Sequence, residues 1–271
     1  MHSVLKIDVA PRPGAHLIVP TGITTPYHDV RAFQVSTPIE RMLIEPRTGQ
    51  QVALVAGDEP VHIEYEYGIG TAYPNCMFDP RDCAFTQAAQ SLAGEGAKMA
   101  SAGIDAIVQH VAALFTYGHP DSSFYDGETA VPQLCGLTEG SCVDINLYLI
   151  ALLRAAGYEA GYITGYFFPE EKGGTTTDMH CWVVTRDRGQ TLEWDIAHHL
   201  KMGTRHIRPG LNPKPGWRVP VAHSMGLDLP ALGISGLKLL AEPMWLAEDR
   251  ADRPELEIRI QPGRASERSA A

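Results

Sequence analysis

The hydrophobic period of this chain changes twice, and those two changes bound what it can fold into. Up to about residue 75, short runs rich in Val, Ile, Thr and Tyr are broken by Pro and Gly: "HLIVP", "RAFQVST", "QQVALVAGD", "VHIEYEYGIG". The stretch "VHIEYEY" alternates apolar and polar residues, the signature of a strand with one buried face. From Phe85 the chain becomes Ala-rich ("AFTQAAQSLA", then "GIDAIVQHVAALFTY"), and Ile104, Ile107, Val108, Val111, Ala112, Leu114 and Phe115 recur at helical spacing. Past Tyr158 strands return as "YEAGYITGYFF", then "MHCWVVT" and "TLEWDIA" joined across "RDRGQ". The order predicts an α+β protein. An antiparallel β-rich module over 1–80 precedes a domain over 81–250, in which helices come first and antiparallel sheet follows. The last stretch, 251–271, is rich in Arg, Glu and Ser and reads as a disordered tail.

Composition removes several function classes. The 22 Lys and Arg against 32 Asp and Glu leave a formal charge of −10, with no basic run, so nucleic acid is not an expected partner. No segment approaches the roughly 18 uninterrupted apolar residues of a membrane helix, and no secretory leader pattern opens the chain. The expectation is a soluble, cytoplasmic protein with no membrane partner. Five cysteines, at 76, 83, 135, 142 and 181, are an odd number and fit a reducing compartment rather than a disulfide framework.

One of those cysteines stands at a helix start. In "GSCVDINLYLIALLRAAGY", Ser141 is a good N-cap, Asp144 completes a capping-box pattern and Gly157 supplies the stop, predicting a helix from about Cys142 to Ala156. Alone, Cys142 reads more readily as a small buried residue than as a nucleophile. Nucleophilic catalysis by a cysteine needs a thiolate, a histidine to share its proton and a third group to orient the imidazole. Backbone N–H groups at a helix N-terminus stabilise a thiolate, and His180 and Asp195 can supply the other two parts. A hairpin turn centred between Asp187 and Arg188 pairs Thr185 with Gln190, Trp182 with Glu193 and His180 with Asp195, all on matching faces.

The order "GSC", "LLRAAGY", "ITGY", "DMHCWV" and "LEWD" resembles the transglutaminase-like superfamily of papain-like cysteine enzymes over about residues 103–200. The resemblance implies a helix carrying the cysteine packed on an antiparallel sheet carrying His and Asp, behind an N-terminal β module as in bacterial members. It carries over Cys142 as nucleophile, His180 as base and acid, and Asp195 as the orienting acid. Two departures stand out: Cys181 where the family often has Ala, and Asp195-Ile196-Ala197 where it often has Asp-Pro-Thr. Gln133, Gln109 and Tyr117 are each chemically able to donate to an oxyanion, and Trp182 reads as core packing or a cleft wall.

The implied activity is attack on an amide or related acyl group of a peptide, protein or small molecule. Water as the second reactant makes a hydrolase, the favoured reading, whereas an amine makes an acyltransferase. A binding or scaffold module is the reading from another class. A metal site drawn from His180, Cys181, Asp195, His198, His199 and Cys142 competes, but no spacing fixes four ligands, so neither metal nor cofactor is expected. The segment 169–178, with Gly173 and Gly174, reads as either a lid or an ordinary loop.

Overall fold

The computed structural model describes residues 3–80, 83–210, 213–246 and 251–262. Six strands come first: β1 (Ser3–Val9), β2 (His16–Pro20), β3 (Asp29–Val35), β4 (Ile39–Ile44), β5 (Gln51–Ala56) and β6 (Val61–Gly68). Helices α1 (Gln90–Met99) and α2 (Ile104–Leu114), the short strands β7 (Phe115–Tyr117) and β8 (Thr138–Gly140), and helix α3 (Cys142–Ala155) follow. Then come β9 (Glu159–Pro169), β10 (Thr175–Thr176), β11 (Met179–Asp187), β12 (Gln190–Trp194) and helix α4 (Ile196–Lys201). The chain closes through β13 (Gly216–His223), β14 (Leu227–Leu229), β15 (Ile234–Leu237), β16 (Met244–Leu246), β17 (Ala251–Asp252) and β18 (Leu256–Pro262). The fold is α+β, as the two changes of period require.

Alternation decides the N-terminal half. Along β1 and β6 every second residue is buried, so Leu5, Ile7, Val61, Ile63, Tyr65 and Tyr67 face one core. The opposite face carries a polar ladder, with Lys6 Nζ 3.1 Å from Glu64 and Arg259 bonded to Asp8. These strands lie in a five-stranded sheet of order β10-β18-β1-β6-β3, and a second five-stranded sheet runs β17-β16-β2-β5-β4. Leu17, Val19, Ala53 and Val55 from the second sheet meet the first across a shared core.

The predicted tail is corrected here. Ala251–Asp252 and Leu256–Pro262 form β17 and β18, and β18 pairs along the whole of β1, from Ser3 opposite Pro262 to Val9 opposite Leu256. Its residues Leu256, Ile258 and Ile260 alternate with Glu257, Arg259 and Gln261, with Ile258 and Ile260 buried. A charged composition hid a period-two pattern, because the charges all sit on the solvent face. The rest of the predicted tail, 263–271, lies outside the described residues. The β module is therefore completed by the far end of the chain.

The second half is built on a four-stranded antiparallel sheet of order β12-β11-β9-β13. Helix α3 packs on it, with Leu147, Tyr148, Ile150 and Leu153 wholly buried among Val183, Trp194 and residues of α2. At a typical 1.5–3 kcal/mol for each fully buried large side chain, such a helix is held by packing rather than by its own propensity. Tyr166, Phe168, Val219 and Val221 of the same sheet enter the core of the β module, so the two halves share apolar contacts.

Several boundaries differ from expectation for local reasons. The segment from Phe85 first makes a turn, with Thr86 and Gln87 donating to Cys83 O, and helix starts only at Gln90. The next helix stops at Leu114 because Phe115–Tyr117 pairs in parallel with Thr138–Gly140. The strand in "TLEWDIA" ends at Trp194, because Asp195 caps α4 through a bond from His198 N to its Oδ1. Within the Pro- and Gly-rich stretch, "GWRVPVAH" is strand β13, and Pro220 is tolerated there because β13 is an edge strand with a register shift at that point. The segment 169–178 is anchored: Thr175 and Thr176 pair with β18, and Arg253 donates to Thr177 O at 2.7 Å.

Candidate active site

The predicted helix start is realised closely. Ser141 is the N-cap of α3, its backbone N–H donates to Asp144 Oδ2 at 2.8 Å, and Asp144 N–H donates back to Ser141 Oγ, a full capping box. Asp144 also accepts from Ser123 Oγ and Tyr125 OH, at 3.0 and 2.7 Å, and Lys238 Nζ reaches the same tyrosine oxygen. The cap is thus bolted to two neighbouring segments. Cys142, the first residue of the helix, is buried at the point where unpaired backbone N–H groups gather. Gly157 ends the run with φ +86, and Arg154 ties the helix end to Ala160 O by two bonds of 3.1 and 2.9 Å.

His180 and Asp195 meet, but not as directly opposed residues. The hairpin turn is Arg188-Gly189, both left-handed at φ 48 and 79, so Asp187 pairs with Gln190 and Val183 with Trp194. This is the two-residue turn that suits the twist of a hairpin. Relative to a turn at Asp187-Arg188, the register moves by two residues. An even shift keeps each side chain on its face, so partners expected opposite become diagonal neighbours. His180 Nε2 lies 2.6 Å from Asp195 Oδ2, and Trp182 Nε1 donates to Glu193 Oε1 at 3.0 Å.

Asp195 is fully buried, and its carboxylate is held from every side. Oδ1 accepts from His198 N at 3.0 Å, and Oδ2 accepts from His180 and from Arg218 Nη2 at 3.0 Å. Burial pushes its pKa up, but the His180 charge and bond, the His198 bond and the Arg218 charge outweigh that and hold it well below the usual carboxylate range. His180 moves the other way: burial pulls it down, and Asp195 followed by Cys142 overcomes this to lift it to about 9. With Nε2 given to Asp195, Nδ1 is the ring nitrogen left for sulfur. The Cys142 thiol is lowered to about 5, first by a hydrogen bond from Cys181, against burial, and then by the bond and charge of His180. Cys181 is raised well above the usual thiol range, by burial first and then by the Cys142 sulfur it faces. The proton of the pair belongs on Cys181, because Cys142 has the imidazolium and the helix terminus beside it.

Of the other predicted residues, Trp182 is buried and stacks on His180 at 6.3 Å between ring centres, so it backs the imidazole. Tyr117 pairs with Gly140 across β7 and β8, and its phenol is pushed up by burial and by the charge of Cys142. Gln109 is committed elsewhere, clamping Ile207 through both its amide atoms. Gln133 is exposed ahead of β8 and makes no hydrogen bond to the site among the described residues. His180, Asp195 and His198 offer donor atoms within 4.8 Å of one another, but Arg218 already brings a cation to Asp195 Oδ2, where a metal ion would meet like charge. His199 turns away, its Nδ1 against Asp195 O at 2.7 Å.

Three contributors escaped the sequence reading. Arg218 sits in a stretch dominated by Pro and Gly, a signal of loop rather than site. Phe167 packs on His198, with ring centres 4.5 Å apart, inside a strand that reads as uniformly apolar. Asn146 was legible in principle: it lies four residues after Cys142, on the same helix face, and its Nδ2 donates to Cys181 Sγ at 3.3 Å.

Residues 86–194 match the family model of the transglutaminase-like superfamily. No curated protein matches the chain. Among solved structures, a candidate cysteine protease from Cytophaga hutchinsonii is similar over 96% of this chain and 98% of its own, at 13% identity and a TM-score of 0.51. The periplasmic domain of TgpA from Pseudomonas aeruginosa is similar over 73% of this chain and 96% of its own, at 12% identity and a TM-score of 0.40. The first likeness covers both the β module and the α+β core, and so agrees with the fold along nearly the whole chain. Over residues 86–194, this chain is similar to the transglutaminase-like superfamily.

Proposed function

We propose that the chain is a cysteine-dependent amide or acyl hydrolase, acting on a peptide, protein or small amide through an acyl-thioester on Cys142. The observation that carries the reading is His180 Nε2 standing 2.6 Å from Asp195 Oδ2, with Cys142 buried at the start of α3 and its thiol lowered to about 5, in part by His180. Cys142 attacks the carbonyl carbon as the thiolate, and His180 gives its proton to the leaving amine. The acyl-thioester then meets a water whose proton returns to His180, and the acid leaves. Throughout, Asp195 stays ionised and keeps the Nε2 proton, which leaves Nδ1 to face sulfur. The Cys142 N–H at the helix start and the Tyr117 phenol are the donors proposed for the oxyanion.

The test is labelling with iodoacetamide at neutral pH, followed by peptide mapping. Cys142 should react faster than the other four cysteines, and Cys142→Ala should abolish turnover of an amide library. Equal reactivity of all five, with turnover intact in Cys142→Ala, overturns the reading. Adding primary amines to the same assay separates the two fates of the thioester. Free acid as the main product supports hydrolysis, and a new amide in its place replaces it with acyl transfer.

A further inference from the structure

Two tiers of acid and ring stand side by side on one face of the second sheet. Residues two apart on a strand share a face, so Glu193 and Asp195, at and just beyond the end of β12, point the same way, as do Trp182 and His180 on β11. In the first tier His180 Nε2 lies 2.6 Å from Asp195 Oδ2. In the second, Trp182 Nε1 donates to Glu193 Oε1 at 3.0 Å, and Tyr73 OH donates to the same oxygen at 2.9 Å. The two rings stack, with centres 6.3 Å apart and planes 28° from parallel. One residue spans both acids. Arg218 puts Nη2 3.0 Å from Asp195 Oδ2 and Nη1 4.0 Å from Glu193 Oε2, and its guanidinium carbon lies 5.6 Å from the centre of the Trp182 ring. The indole N–H needs an acceptor, but a full carboxylate inside a strand, where glutamate is depleted, is more than that bond requires.

We propose that Glu193 is a positioning residue for the reaction at Cys142: it fixes Arg218 and Trp182, and through them the Asp195 carboxylate and the His180 ring. The inference rests on the reading of Cys142, His180 and Asp195 as the reacting groups and extends it to what holds them. Arg218 and His180 both donate to Asp195 Oδ2, so a guanidinium drawn wholly to Asp195 competes with the imidazole for that oxygen. A second carboxylate on the other side of the fork opposes that pull and sets where the guanidinium sits. The charges balance as well. Arg218 and the imidazolium meet Asp195 and Glu193, so this half-buried group of four carries no net charge. On its other oxygen Glu193 fixes the rotation of the Trp182 indole, whose face backs the imidazole. Tyr73 lies between β6 and α1, so Glu193 is itself held by the segment that joins the β module to the α+β core.

The experiment makes Glu193→Gln in the full-length chain and again in an Arg218→Gln background. Gln keeps the volume and the acceptor for Trp182 and Tyr73 but removes the charge. Turnover of an amide substrate should lose about tenfold or more in kcat, with KM little changed. The loss should be smaller in the Arg218→Gln background, because a residue that acts through Arg218 has less to hold once Arg218 is gone. Glu193→Asp keeps the charge on a shorter arm and should retain more of kcat than Glu193→Gln. The nitrogen NMR signals of the His180 imidazole, assigned by their loss in His180→Gln, are titrated in parallel. Asp195 and His198 face that ring, Arg218 lies behind Asp195 and Cys142 acts on its charge, and none of these changes in Glu193→Gln. With Arg218 less balanced the imidazolium is disfavoured, so the His180 midpoint should move to lower pH. A folded Glu193→Gln with native kcat and native His180 midpoint overturns the proposal. So does an equal loss in both backgrounds, or a rise in KM alone, which marks a substrate contact instead. The titration needs no substrate: a chain that turns nothing over sinks the hydrolase, while the His180 midpoint still decides the role of Glu193.

Discussion

Arg218 Nη2 and His180 Nε2 converge on one oxygen, Asp195 Oδ2, at 3.0 and 2.6 Å. Arg218 comes from the edge strand β13 and is only 10% exposed, so the carboxylate that orients the imidazole is clamped from a second element. Replacing it with Gln leaves a buried charge short of a partner. Arg218→Gln is expected to lower stability by about 3 kcal/mol, read by denaturant unfolding. Removing one positive charge beside His180 also favours the imidazolium, so the basic limb of the activity profile should move to higher pH.

The pH dependence follows from two opposed shifts. Cys142 is lowered to about 5 and His180 raised to about 9, so thiolate and imidazolium coexist between those values. Turnover measured as kcat/KM should rise as pH passes 5, where the thiol loses its proton, and fall as it passes 9, where the imidazole loses its own. Alkylation of Cys142 needs only the thiolate, so its rate should climb through the same acid limb and show no comparable fall. His180→Ala should move that limb towards the ordinary thiol range near 8.5.

Asp195→Asn tests orientation apart from nucleophilicity. An amide can still bond Nε2, but it can impose the wrong tautomer, and a comparable change in a catalytic triad costs about ten-thousand-fold in kcat. A similar loss is expected here, with KM little changed. Without the carboxylate charge the His180 pKa should fall, moving the basic limb to lower pH, the opposite direction to Arg218→Gln.

Backbone handedness sets a further expectation. Gly157 ends α3 at φ +86 with open space where a Cβ would stand. Gly157→Ala therefore meets no clash and should lower stability by roughly 1–2 kcal/mol through backbone strain alone, measured by urea unfolding.

Completion of the β module by the far end of the chain gives the last test. Ile258 is buried against β1, and Ile258→Ala should cost about 3 kcal/mol. Removing 251–271 strips the whole strand from β1 and should abolish the cooperative unfolding transition seen by circular dichroism. A dispensable tail would leave that transition in place.

Much of this molecule was legible in residue order. The caps of α3, Ser141, Asp144 and Gly157, act within a few residues of themselves, and local chemistry is what a sequence displays. The pattern of β1 and β6 was readable because alternation needs no partner to be seen. The hairpin was half legible: the turn lies one residue later than the spacing predicts, yet the two-residue change of register keeps His180 and Asp195 on one face. β18 is masked by its charged composition, although Leu256, Ile258 and Ile260 alternate plainly with Glu257, Arg259 and Gln261.

What the sequence by itself determined is the set of parts: a capped helix that begins with a thiol, a strand that carries a histidine, and an acid at the end of the next strand. What only the tertiary structure decided is which distant groups close around them. Arg218 reaches Asp195 from 23 positions away, Asn146 of α3 meets Cys181 of β11, and β18 pairs with the first strand of the chain. The physical reason is the range of the forces concerned. Caps and turns are set by neighbours along the chain, whereas a buried charge is balanced by whatever strand the closed sheet brings beside it.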